Sequence, residues 1–391
     1  MSSLPQIPFA RPWITDDDRK AVLEVLDGHI LTHGPQCKAF EYEFGTFLGD
    51  GAHCVSVSSC MAALHLSYVH FGIGPGDEVI VPAQTHTATA HAVEWVGAKP
   101  VFVDCDPRTG NLTPAGIAPA ITAKTKAISV VHFVGIPCDM PGIMRLAEQH
   151  GLKVVEDCAI ALGARHAGRH VGLFGDAGCF SFYPVKHMTT GEGGMFVSRH
   201  ETVVQAVGKL RAFGVDRSHG ERTFPGMYDV PGLGLNYRMS EMQAALGRSQ
   251  LRRMAEALNR RETQFKRYQQ LLSKTPGVRI IDSTAAESRS SHYCASIVFE
   301  GAHAAKRNEI VARLNAAGVG TSIYYPQPVP RMTYYKNKYG YTPGRYQGAE
   351  QLSDCSVALP LGMHLNDGHI DFVAATLKDV LEAMTSQGGD R

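Results

Sequence analysis

The sequence predicts an α/β fold, with a large domain on a mainly parallel, helix-covered sheet and a smaller C-terminal α+β domain. Three observations predict it. Short runs rich in Val, Ile and Phe alternate with helix-length stretches as far as Ser240. Several of those runs are apolar at consecutive positions, as strands covered on both faces are. Beyond Arg238 the alternation stops and a long Pro- and Gly-poor segment takes over.

In chain order, Val55-Ser56-Val57-Ser58-Ser59-Cys60-Met61-Ala62-Ala63-Leu64 reads as a strand running into a helix, with hydroxyls at the joint. Further strands are predicted over 78–83, 100–105, 127–134, 153–157, 178–183 and 194–198, and helices over 60–71, 88–96, 113–121 and 141–150. Repeated strand–helix order implies right-handed crossovers, which place ligands at the carboxyl ends of the strands. Ser240 and Gln243 have the spacing of a capping box. Residues 241–274, Gly247 apart, then read as one or two long helices. Strands over 278–281, 293–299 and 321–325, a helix over 304–317 and an amphipathic helix over 370–384 follow. The Pro- and Tyr-rich stretch 324–346 is too long for an idle connection. The division expected is a large domain over 1–245 and a small one over 246–391.

Composition narrows the function. The 391 residues hold 38 Lys+Arg against 37 Asp+Glu, a formal charge of +1, so no basic stripe points to nucleic acid. No apolar stretch approaches the roughly 20 residues that span a bilayer. The start, Met-Ser-Ser-Leu-Pro-Gln-Ile-Pro, lacks the regions of a secretory signal. The nine cysteines are scattered, odd in number and free of any Cys-x-x-Cys pair, which suits buried thiols in a reducing, cytoplasmic compartment. The 18 histidines include no His-Glu-x-x-His spacing, so no metal is expected.

Three stretches carry chemistry together. Val154-Val155-Glu156-Asp157 is an apolar strand ending in two carboxylates. Gly178-Cys179-Phe180-Ser181-Phe182-Tyr183-Pro184-Val185-Lys186-His187 delivers a lysine just past another strand. Thr189-Thr190-Gly191-Glu192-Gly193-Gly194 follows with hydroxyls and pliable backbone. An Asp at one strand end and a Lys beyond another fit pyridoxal phosphate (PLP). Its pyridine nitrogen wants an anionic partner and its aldehyde wants an amine. Asp157 would keep that nitrogen protonated. Lys186 would hold the aldehyde and, once displaced, move a proton, which requires an amine that can be neutral near pH 7. The helix start at Ser59-Cys60-Met61 and the hydroxyl of Ser181 would suit the phosphate. Each residue also has an ordinary reading alone: helix cap, ion-pair partner, buried hydroxyl or solvated amine.

Taken together, the motifs resemble the DegT/DnrJ/StrS sugar aminotransferases, PLP enzymes of fold-type I in the aspartate aminotransferase superfamily. The resemblance runs from Gly34-Pro35 and Phe40-Glu41 through Gly72-Ile73-Gly74-Pro75-Gly76-Asp77-Glu78-Val79-Ile80-Val81-Pro82-Ala83 and Pro100-Val101-Phe102-Val103-Asp104. It continues through Glu156-Asp157, Ser181–Lys186 and Thr189–Gly194 to Leu235-Asn236-Tyr237-Arg238-Met239-Ser240-Glu241-Met242-Gln243-Ala244-Ala245.

The resemblance implies roles residue by residue. Lys186 matches the Schiff-base lysine, Asp157 the carboxylate facing the pyridine nitrogen, and Ser181 a phosphate-binding serine. Asn236 resembles the asparagine that reaches the phosphate from a neighbouring subunit, which implies a homodimer with shared sites. Arg238 beside it is a substrate-side candidate or an interface ion pair. Cys60-Met61 stands where the family usually has Gly-Thr or Cys-Thr, so phosphate binding there falls to backbone amides. His86 stands where many members stack an aromatic ring on the cofactor. Ile160 replaces a Gln or His that contacts the cofactor's phenolic oxygen.

The activity implied is transfer of an amino group from glutamate to a nucleotide-linked keto sugar, by way of pyridoxamine phosphate. The sugar would serve a surface polysaccharide or natural product, with a GDP-linked 4-keto-6-deoxy sugar and a perosamine-type product as the specific expectation. Substrate-side candidates are His187, Arg238, Tyr324 and Arg331, with Tyr334, Tyr335 and Lys336 nearby. Two alternatives stand beside this: a pyridoxamine-phosphate-dependent sugar dehydratase, in which histidine replaces the lysine, and a non-catalytic PLP-binding regulator.

Overall fold

The computed structural model describes residues 6–216, 224 and 226–386. The first five residues of the N-terminal stretch read above lie outside them. A seven-stranded sheet runs in the order His53–Val57, Gly194–Ser198, Ala177–Ser181, Lys153–Asp157, Thr125–Val131, Glu78–Pro82, Lys99–Val103. The five strands from Ala177–Ser181 to Lys99–Val103 are parallel to one another, and Gly194–Ser198 runs antiparallel to both of its neighbours. Every residue of Glu78–Pro82 and Gly194–Ser198 is buried, as consecutive apolar positions demand of strands covered on both faces.

Helices Cys60–His70, Thr87–Trp95 and Met140–His150 form where expected. The first is capped by the Ser59 hydroxyl, and the last ends on Gly151 in the left-handed region (φ 65°). The helix expected over 113–121 is shorter. Pro114–Ile117 makes a single turn, and Ala118–Ala120 tightens to a 3-10 turn around Pro119. Five α-helices among the described residues went unpredicted: Asp16–Leu26, Pro35–Leu48, Glu201–Leu210, Thr333–Tyr339 and Gln347–Cys355. Asp16–Leu26 buries only Asp18 and Val25, so it shows little apolar stripe. Pro35–Leu48 is held from a distance, because the buried Glu241 carboxylate accepts the N–H groups of Gln36 (2.7 Å) and Cys37 (3.0 Å). A Cβ on Gly34 would stand 2.5 Å from that carboxylate, so only glycine fits there.

The capping box forms: Gln243 N–H donates to Ser240 Oγ (3.3 Å) and Ser240 N–H to Gln243 Oε1 (2.8 Å). The segment behind it is two helices, Glu241–Leu251 and Met254–Leu272. At the break, Arg253 pairs with buried Asp18 (2.8 Å) and lies 4.6 Å from the Trp13 ring.

A three-stranded antiparallel sheet, Val278–Ile280, Ala295–Phe299, Ser356–Leu359, packs with helix Met254–Leu272 and helix Asp367–Ser386 around a second core. The strand expected over 321–325 is only a bridge from Ser322 to Ala358, and the ladder goes to Ser356–Leu359 instead. Pro326 and Pro328 follow at once and cannot donate to a ladder. The long stretch 324–346 contains helix Thr333–Tyr339.

Two segments cross a boundary drawn at 245. Ile7 is buried in the second core and exchanges backbone bonds with Gly318 and Gly320. Val329 and Tyr335 sit in the core of the large sheet, where Val329 N–H donates to Ala83 O (2.9 Å).

Candidate active site

The carboxyl ends of the parallel strands converge on Asp157, the last residue of Lys153–Asp157. Strand alternation sends its neighbour Glu156 to the opposite face. There Glu156 is fully buried and accepts backbone N–H groups from Gly172 (2.7 Å), Phe174 (2.8 Å) and Gly175 (2.7 Å). His132 is the fourth partner. Its Nδ1 accepts the Cys138 N–H (3.1 Å), so the proton sits on Nε2 and is donated to Glu156 (3.0 Å). With Cys158, these two side chains form a compact His/Glu/Cys group. Both imidazole nitrogens and the carboxylate are engaged by these bonds, so the group locks the strand end.

Asp157 itself is 5 % exposed and accepts three bonds. They come from Thr89 Oγ1 (2.8 Å to Oδ2), the Ala159 N–H (3.0 Å to Oδ1) and the Cys60 thiol (3.7 Å to Oδ1). Thr85 lies 2.8 Å from Thr89 and supplies the hydrogen that Thr89 needs once its own is given to Asp157. The sequence reading missed Thr89. The signal was available, since Thr85 and Thr89 are spaced i, i+4 where a strand end enters a helix.

Lys186 sits in the turn after Ala177–Ser181, its ammonium 5.4 Å from the centroid of the Tyr293 ring. Desolvation holds its pKa below the ordinary lysine value, and the acidic side chains of Cys60, Asp157 and Cys294 oppose that shift. His86 caps helix Thr87–Trp95. Its Nδ1 accepts the Ala88 N–H (3.1 Å), so Nε2 carries the proton, and its ring meets Tyr325 edge-on at 5.7 Å. Desolvation, then the Lys186 charge, hold His86 below its usual value. Burial and the Asp157 charge push the Cys60 thiol well up, so it stays a donor.

Helix Cys60–His70 starts beside these groups. Ser59 accepts the Ala62 N–H (3.1 Å), which leaves the N–H groups of Cys60 and Met61 without a chain partner among the described residues. The Cys60 side chain turns inward to Asp157 and Cys179 O, and Met61 packs against the core, so both offer backbone only. Ser181 pairs with Gly194, and a Cβ on Gly194 would stand 2.5 Å from Ser59 C and 2.7 Å from Cys60 N. Glycine is therefore what lets the strand approach the helix end and brings Ser181 beside it. An amine, a carboxylate, a helix N-terminus and a hydroxyl brought into one neighbourhood fit PLP, whose aldehyde, pyridinium and phosphate need those partners.

Gly194→Ala tests this cradle. Overpacking of this kind costs about 1–3 kcal/mol, so titration of the apoenzyme should show cofactor affinity lowered about tenfold or more. Unchanged affinity would place the phosphate elsewhere.

Other expected site residues are placed differently. His187 is buried, its ring against Tyr293 and its Nε2 donating to Ser291 O (3.1 Å), so it braces the loop and does not face a substrate. Arg331 is paired end-on with Asp354 (2.8 Å) within the small domain, so its charge already has a carboxylate partner. Tyr335 is buried with its hydroxyl 2.7 Å from His91 Nδ1, a packing residue rather than a stacking platform. Tyr334 and Lys336 are exposed on the same helix. Tyr324 does approach the site: its hydroxyl is 2.9 Å from that of Tyr293, and burial pushes its pKa up to about 12. Ile160 is buried in an apolar cluster with Phe133 and Tyr293. Asn236 is exposed beside Arg238, whose guanidinium lies 4.9 Å from the Phe213 ring, and within one protomer no bond ties either side chain to Lys186 or Asp157.

The model of the DegT/DnrJ/EryC1/StrS aminotransferase family matches residues 12–378. The chain is 35% identical over 381 residues to the spore coat polysaccharide biosynthesis protein SpsC of Bacillus subtilis, covering 96% of this chain and 97% of that protein. It is 36% identical over 383 residues to the GDP-perosamine synthase of Caulobacter vibrioides, covering 97% and 100%. Among solved structures, the PLP form of the putative sugar aminotransferase Spr1654 from Streptococcus pneumoniae superposes with a TM-score of 0.90 at 30% identity, covering 97% and 99%. Its PMP form gives 0.91 at 30% identity, covering 96% and 99%.

Proposed function

The chain belongs to the DegT/DnrJ/EryC1/StrS aminotransferase family and is a PLP-dependent sugar aminotransferase, and on that premise we propose that it moves an amino group from glutamate to a keto sugar carried on a nucleotide. A GDP-linked 4-keto-6-deoxy sugar giving a perosamine-type product is the specific reading, supported by the 36% identity to a GDP-perosamine synthase. The observation that carries the reading is a desolvated Lys186 amine close enough to the triply bonded Asp157 to feel its charge.

When bound, PLP supplies an aldehyde carbon and a ring that takes up electron density from a breaking C–H bond. Lys186 holds the cofactor through its ε-nitrogen. Released by an incoming amine, it accepts the substrate's α-proton and returns it on the other side of the transfer, a role favoured by its lowered pKa. Asp157 would hold a proton on the ring nitrogen, and Thr89, Ala159 and Cys60 aim its carboxylate. The N–H groups of Cys60 and Met61, with Ser181, bind the phosphate. His86 would supply a ring to stack on the cofactor's face. Retention of a lysine at 186 favours amino transfer over the dehydratase alternative, whose members carry histidine there.

A partner subunit completes the site in this reading. The segment around Asn236 carries exposed apolar side chains, Phe213, Met227 and Leu233 among them, the last 92 % exposed, as suits a buried contact with a second copy. All nine cysteines are free, in keeping with a cytoplasmic reaction. No helix among the described residues is long and apolar enough to cross a membrane.

Donor and acceptor use one amine carrier in turn, so initial rates with glutamate and a keto sugar should give parallel double-reciprocal lines. Intersecting lines with product absent would contradict the scheme. A panel of nucleotide-linked keto sugars, GDP-linked ones included, then identifies the acceptor. A panel in which no nucleotide sugar accepts the amine refutes the acceptor class.

A further inference from the structure

Arg261, on helix Met254–Leu272, is 7 % exposed, and among the described residues no carboxylate pairs with it. Several other buried or half-buried arginines are answered. Arg211 pairs with Glu41 (2.7 Å), Arg248 with Glu43 (2.6 Å) and Arg253 with Asp18 (2.8 Å). Arg307, without a carboxylate, bonds two carbonyls and the Asn308 side chain. Among the described residues Arg261 makes one bond, from Nη1 to Tyr293 O (2.8 Å). A guanidinium has five donors, and burying one without an anion is costly.

The position is as telling as the vacancy in its bonding. Tyr293 links the two cations, with Lys186 above its ring and Arg261 on its carbonyl. Gly362 keeps any side chain out of the space beside Nη2, where a Cβ would stand 3.5 Å away. His187, next to Lys186, feels the Arg261 charge, which adds to desolvation in keeping that imidazole neutral.

We propose that Arg261 is the anchor for a carboxylate of the amino donor, which completes its fork when the donor is in place. The proposal rests on the reading of an amino-acid donor. A planar carboxylate matches the guanidinium bidentately, and an anion arriving with the donor removes the cost of the unpaired charge only while the donor is bound.

The test compares wild-type holoenzyme with Arg261→Gln and Arg261→Lys, following the cofactor's absorbance after addition of glutamate or of propylamine, an amine with no carboxylate. Glutarate binding, measured by calorimetry, gives a readout independent of turnover. For Arg261→Gln, half-saturating glutamate and the glutarate Kd should both rise about 10- to 100-fold, the range for a charged hydrogen-bonded pair. Arg261→Lys should fall between, and the propylamine response should be unchanged. Unchanged glutamate dependence overturns the proposal. So does a parallel loss of the propylamine response, which would make Arg261 a structural cation. A wild-type enzyme that ignores glutamate but answers another amino acid ends the donor's identity alone. That amino acid then replaces glutamate in the same comparison with propylamine, and the same two outcomes decide.

Discussion

Lys186→Ala enzyme is expected to lose all measurable turnover, together with the absorbance band that borohydride abolishes. A positioned base contributes about 10²–10⁴-fold by itself, and this amine also holds the cofactor, so the combined loss should exceed that range. The fold should survive. Among the described residues no hydrogen bond or ion pair of the Lys186 side chain holds the structure together, and its contact with Tyr293 is a ring-face contact at 5.4 Å. Rates with glutamate and a circular dichroism melt make the check. An alanine variant that keeps both turnover and the band would remove Lys186 from the chemistry.

Asp157→Asn should lower kcat/KM by about 10³-fold while the cofactor still binds, since a charge aimed at a developing centre is commonly worth 10²–10³ or more. The amide is nearly the same size but fails twice. It carries no charge to hold the ring nitrogen's proton. It also offers a single acceptor oxygen where Thr89, Ala159 and Cys60 present three donors, so its NH₂ meets a donor and the side chain is driven off its aim. Rates at saturating cofactor, read alongside the bound spectrum, separate lost chemistry from lost binding. A variant within about twofold of wild type would mean that the ring nitrogen works without this carboxylate.

What the sequence made legible was whatever its local period and strand ends encode. The parallel strands were visible because Val79, Ile80 and Val81 are apolar in succession, and Asp157 and Lys186 because each follows an apolar run. Contacts between distant segments were not legible. Nothing near Pro35 announces that Glu241 will cap its helix, and helix Asp16–Leu26 buries too little to show a period. The same blindness shaped the site. Arg331 and His187 looked available because Asp354 and Ser291, which occupy them, are remote in sequence. Arg261 read as one more charge on a polar helix, and only folding shows that no carboxylate among the described residues answers it.

The most direct test of the account traps the cofactor on the protein. Reducing the holoenzyme with borohydride, digesting it and sequencing the labelled peptide by mass spectrometry should put the pyridoxyl group on Lys186 alone. A label on another lysine, or cofactor released unreduced from a fully loaded enzyme, would contradict the assignment on which the site, the proton path and the donor anchor all depend.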